Sequence, residues 1–353
     1  MINRKITKQI SIGGVPVGGG APVVIQSMNN TKTADVESTL RQLHALASAG
    51  CQIGRLAVPD TEAAEALKEI VPRSPIPLVA DIHFDHRLAL ESLKNGIHAL
   101  RINPGNIGSE DKVKAVIDGA RDRGVPIRIG INGGSLEKDL LEKYGCTAEA
   151  IVESALRETA IFEKYGFDRV KVSVKSSSVE KTVAAYKLLS QKVDYPLHVG
   201  VTEAGTLLKG SIKSALGIGI LLSEGIGDTI RVSLTGDPVN EVIVAREILK
   251  NLGLREEGIE IISCPTCGRT KVDLETMVTA VEKGLANFTP RRPLTVAVMG
   301  CEVNGPGEAK EADYGIANGK GQGLLFKEGT VIGKYKEEEI VDVLIDEIRR
   351  NEL

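Results

Sequence analysis

Short apolar runs rich in β-branched residues recur along the first two thirds of the chain, at 23–28, 53–58, 78–81, 99–102, 127–130, 169–174, 197–201 and 229–234. Each is four to six residues long and lacks the strict alternation of a half-exposed strand. Each therefore predicts a strand buried on both faces, as parallel strands are. Between the runs lie segments with apolar residues at helical spacing and charged opposite faces, such as VESTLRQLHALASAG, TEAAEALKEIV and AEAIVESALRETAIFEKYG. Several end in glycine, where a helix C′ residue needs a left-handed backbone: Gly50, Gly96, Gly124, Gly166 and Gly253. Eight units of strand then helix, roughly 30 residues apiece, predict a TIM (β/α)8 barrel over residues 1–253. A doubly wound open sheet is the alternative, but no GxGxxG follows the first strand and the count of eight favours closure. The stretch GGVPVGGG at 13–20 reads as a turn leading into the first strand.

In such a barrel the chemistry gathers beyond the carboxyl ends of the strands. The residues expected there form a consistent set. Arg55 lies in the second run, and Asp81 and His83 close the third. Arg101 and Asn103 come with the fourth, Arg128 and Asn132 with the fifth, and Lys171, Ser173 and Lys175 with the sixth. Glu203 follows the seventh, and Arg231 and Ser233 lie in the eighth. Charged side chains inside strands are costly unless paired. One alone would read as solvation of the barrel rim. Four arginines and two lysines exceed what Asp81 and Glu203 can neutralise. The surplus predicts an anionic ligand, and planar guanidinium forks suit phosphate oxygens. A small phosphate or diphosphate substrate follows, with Asn103 and Asn132 orienting it and Asp81, His83 and Glu203 as acid–base groups.

Composition narrows the partners. A formal net charge of −3 and an aromatic content of 3% argue against nucleic acid, which asks for a basic face or stacking rings. A hydrophobic fraction of 42% excludes wholesale disorder. The opening MINRKITKQISIGG has no apolar signal region, and no apolar run reaches the span of about 18 residues that a membrane helix needs. A cytoplasmic protein with no membrane partner is expected. Five cysteines, an odd number, fit a reducing compartment better than a disulfide framework.

Three of those cysteines fall close together near the end of the chain. After Gly253 the polar segment LREEGIE reads as a linker to a second domain at 260–353. Cys264 and Cys267 form a C-x-x-C, a helix is expected to about residue 287, and Cys301 follows the strand LTVAVMG. A redox dithiol needs a thioredoxin-like pattern that is missing here. Structural zinc wants four ligands, and no histidine follows His198. Three thiolates with one open position favour an iron–sulfur cluster, although zinc and redox thiols stay open on the residues alone. The Gly-Pro-Gly turn in NGPGE can bring Glu308 back towards the thiols as an exchangeable fourth ligand, although on the residues alone a surface acid in the run EAKEAD is the more ordinary reading.

CPTCGR followed by VAVMGCEVNGPGEAKEADYG closely resembles the carboxyl-terminal region of the 4-hydroxy-3-methylbut-2-enyl diphosphate synthase family. The resemblance runs nearly end to end, through VVIQSMNNTKTADVE, ADIHFD, ALRINPGNIG, IRIGINGGSLEKDLLEKYG, KVSVKSS and HVGVTEAG, and matches the short bacterial form. It implies a barrel followed by a small α+β cluster domain. It implies reductive ring opening and dehydroxylation of 2-C-methyl-D-erythritol 2,4-cyclodiphosphate to the linear allylic diphosphate, in isoprenoid precursor synthesis. It further implies a [4Fe-4S] cluster on Cys264, Cys267, Cys301 and Glu308, fed single electrons by flavodoxin or ferredoxin. Arg55, Arg101, Arg128, Lys175 and Arg231 would bind the diphosphate, helped by Asn103, Asn132, Ser173 and Ser233. Glu203 would lead the proton transfer, with Asp81 and His83 beside it.

Barrel topology adds a homodimer. The last barrel helix returns the chain to the face opposite the strand ends. A linker of roughly eight residues then reaches about 28 Å at most, too little for a curved path round helices some 20 Å long. A head-to-tail pair, each cluster domain capping the other chain's barrel, is expected. Two competing readings are a barrel synthase of dihydropteroate-synthase type with a zinc tail, and a binding module built on a zinc ribbon.

Overall fold

The computed structural model describes residues 2–256, 258–286, 288–301, 307 and 310–353, and the chain divides into two compact units, Met1–Arg255 and Glu256–Leu353. In the first unit a short hairpin, β1 (Ile10–Ile12) and β2 (Val15–Val17), precedes the barrel. The barrel strands are β3 (Val24–Met28), β4 (Ile53–Ala57), β5 (Leu78–Asp81), β6 (Ala99–Ile102), β7 (Ile127–Asn132), β8 (Val170–Lys175), β9 (His198–Val199) and β10 (Thr229–Ile230). They pair in parallel in the order β8-β7-β6-β5-β4-β3-β10-β9, and a parallel bridge from Val172 to Leu197 closes the ring. This is the predicted TIM barrel.

Around it run α1 (Val36–Ser48), α2 (Thr61–Arg73), α3 (His86–Lys94), the single turn α4 (Pro104–Ile107), α5 (Glu110–Arg123), α6 (Lys138–Tyr144), α7 (Ala148–Lys164), α8 (Val179–Ser190), α9 (Leu207–Ser223) and α10 (Pro238–Asn251). Asp35, Asp60, Asp85, Thr147, Ser178 and Asp237 cap six of these helices by accepting from a first-turn amide. The helix-ending glycines adopt positive φ, from +62° at Gly253 to +102° at Gly50.

Two features depart from the sequence reading. The stretch 13–20 is more than a turn: Val15–Val17 pairs with Ile10–Ile12, and the hairpin plugs the amino end of the barrel. Ile10, Ile12 and Val17 bury themselves there against Val24, Ile53, Val79 and Ala99. Gly13 permits this, because at its φ of +54° an added Cβ would lie 2.7 Å from Pro77. The seventh and eighth runs shrink to strands of two residues. At Gly200 an added Cβ would lie 2.3 Å from the Arg231 carbonyl, so beyond β9 the two chain segments approach too closely for a side chain.

The second unit holds a five-stranded sheet ordered β11 (Ile259–Ser263), β12 (Leu294–Met299), β13 (Tyr314–Asn318), β14 (Gln322–Lys327) and β15 (Thr330–Lys336). The first three strands are parallel and the last two antiparallel. Helices α11 (Leu274–Leu285) and α12 (Ile340–Glu352) cover the face bearing Val296, Val298 and Ile316. Ala297, Met299, Ala317 and Phe326 form a smaller cluster with Ala312. Among the described residues no helix is long and apolar enough to cross a membrane.

Candidate active site and cysteine centre

Parallel register sets the cations side by side. Asp81 pairs with Arg101, Arg101 with Arg128, and Arg128 with Lys171 across successive strands. Arg55, Arg101, Arg128 and Lys175 are buried, and Arg231 is nearly so. The Arg101 guanidinium donates to Asp81 Oδ1 at 3.1 Å and lies 3.2 Å from His83 Nε2. Arg55 Nε stands 3.8 Å from Asp81 Oδ2 and donates to Met28 Sδ at 3.0 Å. Burial alone would raise the Asp81 carboxyl, but Arg55, His83, Arg101 and Arg128 outweigh it and hold the group far below the usual carboxylate range. Asp81 is thus the fixed anion among the cations. Burial, with Arg128, Arg231 and Arg55 adding repulsion, pushes the Lys175 ammonium well below its ordinary value. A chamber so charged favours an incoming anion.

Above these groups opens a cavity of about 520 Å³, a size suited to a small-molecule ligand. His83, Arg101, Asn103, Asn132 and Glu203 line it, together with Asn106, Lys181 and Ser176–Ser178, which the sequence reading did not single out. Asn103 is buried and precedes the helical turn α4, while Asn132 ends β7. Glu203 is exposed and adopts φ +53°. A left-handed backbone at a non-glycine residue stores strain, and strain of this kind concentrates at functional sites. Ser173 is buried, with its hydroxyl 3.5 Å from the Ile129 carbonyl, and Ser233 is half-buried beyond β10.

One acid of the site went unread in the sequence. Glu241, on α10, accepts from Arg231 Nη2 at 2.9 Å, from Ser27 Oγ at 2.8 Å and from the Leu234 amide at 3.0 Å. Arg231 therefore carries its own counter-ion, and the surplus of cations is smaller by one than the strands suggest.

In the second unit Cys264 follows β11 and Cys301 follows β12, and Ser263 pairs with Val298 in parallel register. Both thiols leave the same end of the sheet, with Cys267 in the connecting loop. The Gly300 amide donates to Cys264 Sγ at 3.3 Å. A Cβ on Gly300 would meet Thr270 at 2.9 Å, so a glycine here lets the cysteine loop close on the strand end. The Cys267 thiol is lowered by the backbone amide at Arg269 above all, with the Thr270 hydroxyl and the Arg269 charge assisting, while nearby Cys301 opposes the shift. Amide donors on sulfur and a thiol biased towards thiolate suit a soft-metal centre. Among the described residues no three His, Cys, Asp or Glu side chains stand together as a set for one ion. Glu308 lies outside the described residues. Cys51 is buried and hydrogen-bonded to Ile53, with its thiol pushed up to about 11 by burial, and Cys146 is exposed.

Family models and curated relatives agree on one family. The model described as the GcpE TIM-barrel domain matches residues 7–246, and that of the GcpE protein C-terminal domain matches 260–350. A protein of Geobacter sulfurreducens named 4-hydroxy-3-methylbut-2-en-1-yl diphosphate synthase (flavodoxin) is 60% identical over 98% of this chain and 97% of its own length. One of the same name from Maridesulfovibrio salexigens is 61% identical over 96% of this chain and 94% of its own. Among solved structures, an N-acetylneuraminic acid synthetase from Leptospira borgpetersenii matches 71% of this chain and 92% of its own at TM-score 0.51 and 15% identity, a likeness of fold alone.

Proposed function

The chain belongs to the GcpE family, and on that premise we propose that it catalyses the reaction its relatives are named for. It is an oxidoreductase that opens the ring of 2-C-methyl-D-erythritol 2,4-cyclodiphosphate and removes a hydroxyl, giving 4-hydroxy-3-methylbut-2-enyl diphosphate. Two electrons and a proton enter and water leaves. The observation that carries the reading is the ring of buried cations at the strand ends, with Asp81 at its centre.

Arg55, Arg101, Arg128, Lys175 and Arg231 hold the diphosphate, and Asn103, Asn132, Ser173 and Ser233 fix its orientation by neutral hydrogen bonds. Glu241 holds Arg231 in place through two hydrogen bonds, and Asp81 does the same for Arg101 through one. Glu203, on the cavity wall, gives a proton to the departing hydroxyl. Asp81 stays ionised and orients His83, whose Nε2 lies 3.5 Å from its Oδ2.

Cys264, Cys267, Cys301 and Glu308 would hold a [4Fe-4S] cluster, which supplies single-electron reduction when bound. The shared sheet end and the amide donors on sulfur support that assignment. Flavodoxin, printed in the relatives' names, is the expected donor. The working unit is a head-to-tail homodimer, each cluster domain serving the barrel of the other chain. Its first support is α10, which leads away from the cationic strand ends. Its second is α9, whose Leu208, Ile212, Leu216 and Ile220 repeat every fourth residue and stand exposed by 73%, 55%, 53% and 38%.

Anaerobically reconstituted protein, supplied with reduced flavodoxin and the cyclic diphosphate, is expected to be brown and to release the linear diphosphate. A colourless zinc protein that leaves the cyclic diphosphate intact would overturn the reading.

A further inference from the structure

In one rung of the ladder between β8 and β9 a side chain stands where backbone should meet backbone. Val172 and Leu197 bridge the two strands, with the Val172 amide bonded to the Pro196 carbonyl at 2.9 Å. Parallel register would next send the Val174 amide to the His198 carbonyl, two residues further along each chain. That amide donates instead to Tyr186 Oη at 3.2 Å, and the hydroxyl donates in turn to the His198 carbonyl. Beyond it one bond of the same register returns, from the Thr202 amide to the Ser176 carbonyl at 3.2 Å. A phenol from α8 is thus inserted into the barrel seam.

Tyr186 is fully buried. Burial raises its phenol above the ordinary value, so the hydroxyl keeps the proton it donates. Thr182 stands one turn earlier on the same face of α8. Its hydroxyl accepts from the Ser176 amide at 3.2 Å and donates to the Ser176 carbonyl at 3.0 Å. Val174 and Ser176 are the two neighbours of Lys175 in the chain. Two hydroxyls of one helix therefore fix the backbone on both sides of this cation. Lys175 Nζ lies 2.8 Å from where a Cβ on Gly200 would stand, so the side chain reaches across the opened seam to the segment after β9.

Packing alone does not ask for a hydroxyl at 186. A phenylalanine would fill nearly the same space and leave the amide and carbonyl to pair directly, which would draw β8 and β9 together beside the Lys175–Gly200 contact. We propose that Tyr186 and Thr182 are positioning residues of the diphosphate site: their hydroxyls hold the β8–β9 seam open and set where Lys175 meets the ligand. The inference rests on the assignment of Lys175 to the diphosphate.

Calorimetric titration of the reconstituted, full-length protein with the cyclic diphosphate tests it. Tyr186→Phe should weaken binding by about tenfold, the scale of one misplaced charge-assisted hydrogen bond. In a Lys175→Met background the same change should cost almost nothing, because the group it positions is gone. Crystals of Tyr186→Phe should show the Val174 amide bonded directly to the His198 carbonyl, with Lys175 Nζ displaced from Gly200. Should Tyr186→Phe not fold, Thr182→Val carries the same binding comparison. Unchanged affinity, an equal loss with and without Lys175, or a seam that stays open in Tyr186→Phe would each overturn the proposal. A wild type that binds no cyclic diphosphate would overturn the assigned function and this inference together, whereas a binding wild type with an indifferent variant overturns the inference alone.

Discussion

Glu241 holds three groups of the barrel mouth at once while itself sitting on a helix, and its side chain is 3% exposed. In the sequence PVNEVIVAREILKN it reads as one more charge on a solvated face, since nothing local marks which helical acid turns inward. The strand cations were legible because charge inside an apolar run is conspicuous; their counter-ion was not, because it lies in a helix where charge is ordinary. Replacing Glu241 by alanine leaves Arg231 and the Leu234 amide unpaired in a mostly buried site. A loss of about 3–5 kcal/mol is expected, read by denaturant titration, with a raised KM for the diphosphate. Glu158, on α7, is a second acid that the sequence did not single out. Burial raises its carboxyl from 4.5 to about 7, with Glu137 adding repulsion and the Gly105 amide opposing. Because the folded value lies above the unfolded one, the contribution to stability is present at low pH and fades as pH climbs through about 7. Melting temperature should therefore fall between about pH 5 and about pH 8, a window set by the shift to about 7, by more in wild type than in Glu158→Gln, whose amide stays neutral throughout. Equal slopes would remove Glu158 as the cause.

Among the elements, the existence of the barrel strands was readable throughout and their extent only for some. Runs 78–81 and 99–102 match β5 and β6 residue for residue. Runs 197–201 and 229–234 do not, because continuous pairing is limited to the two residues of β9 and of β10 and otherwise reduces to single parallel bridges, Leu197 to Val172 and Leu234 to Gly205. Apolarity records burial, and Leu197, Gly200, Val201 and Val232 are buried outside the regular strands. The β13–β14–β15 meander and α12 went unread, since the motif around Cys301 points to the thiols rather than to strand alternation further on. Gly200 marks where β9 ends. An alanine there would push its Cβ to 2.3 Å from the Arg231 carbonyl and 2.8 Å from Lys175 Nζ. Overpacking of this kind costs on the order of 1–3 kcal/mol, so Gly200→Ala should melt earlier. It should also bind diphosphate more weakly, measured calorimetrically, if Lys175 and Arg231 hold the ligand as proposed. A variant with wild-type melting and affinity would show that the approach is relaxed in solution.

For the whole molecule, the division of labour between two chains is the proposal with the sharpest test. On the proposed roles Glu203→Gln removes the acid of the barrel and Cys264→Ser a ligand of the cluster, so each variant alone should be inactive. If each cluster serves the partner's barrel, subunit exchange between them creates mixed dimers with one intact pairing. Random pairing then predicts recovery of about a quarter of wild-type turnover. If each chain serves itself, the mixture stays inactive. The electron count of that recovered activity, product formed per flavodoxin oxidised, should equal that of wild type.

The hairpin plug has a consequence for how the chain reaches this state. The amide of Lys5 donates to the Gly225 carbonyl at 3.0 Å, and Arg4 donates to Gly227 and Asp228 at 3.1 and 3.2 Å. Arg4 and Lys5 are therefore synthesised some 220 positions ahead of their partners. At a synthesis rate of about 5–20 residues per second that delay is roughly 10–40 s. During it Ile10, Ile12, Val15 and Val17 have no barrel to enter, a window in which apolar strand pairs invite holdase binding or misassociation. Pulse-labelled nascent chains should hold the amino terminus open to protease until β10 has emerged, so closure of the barrel is timed by the end of its own translation.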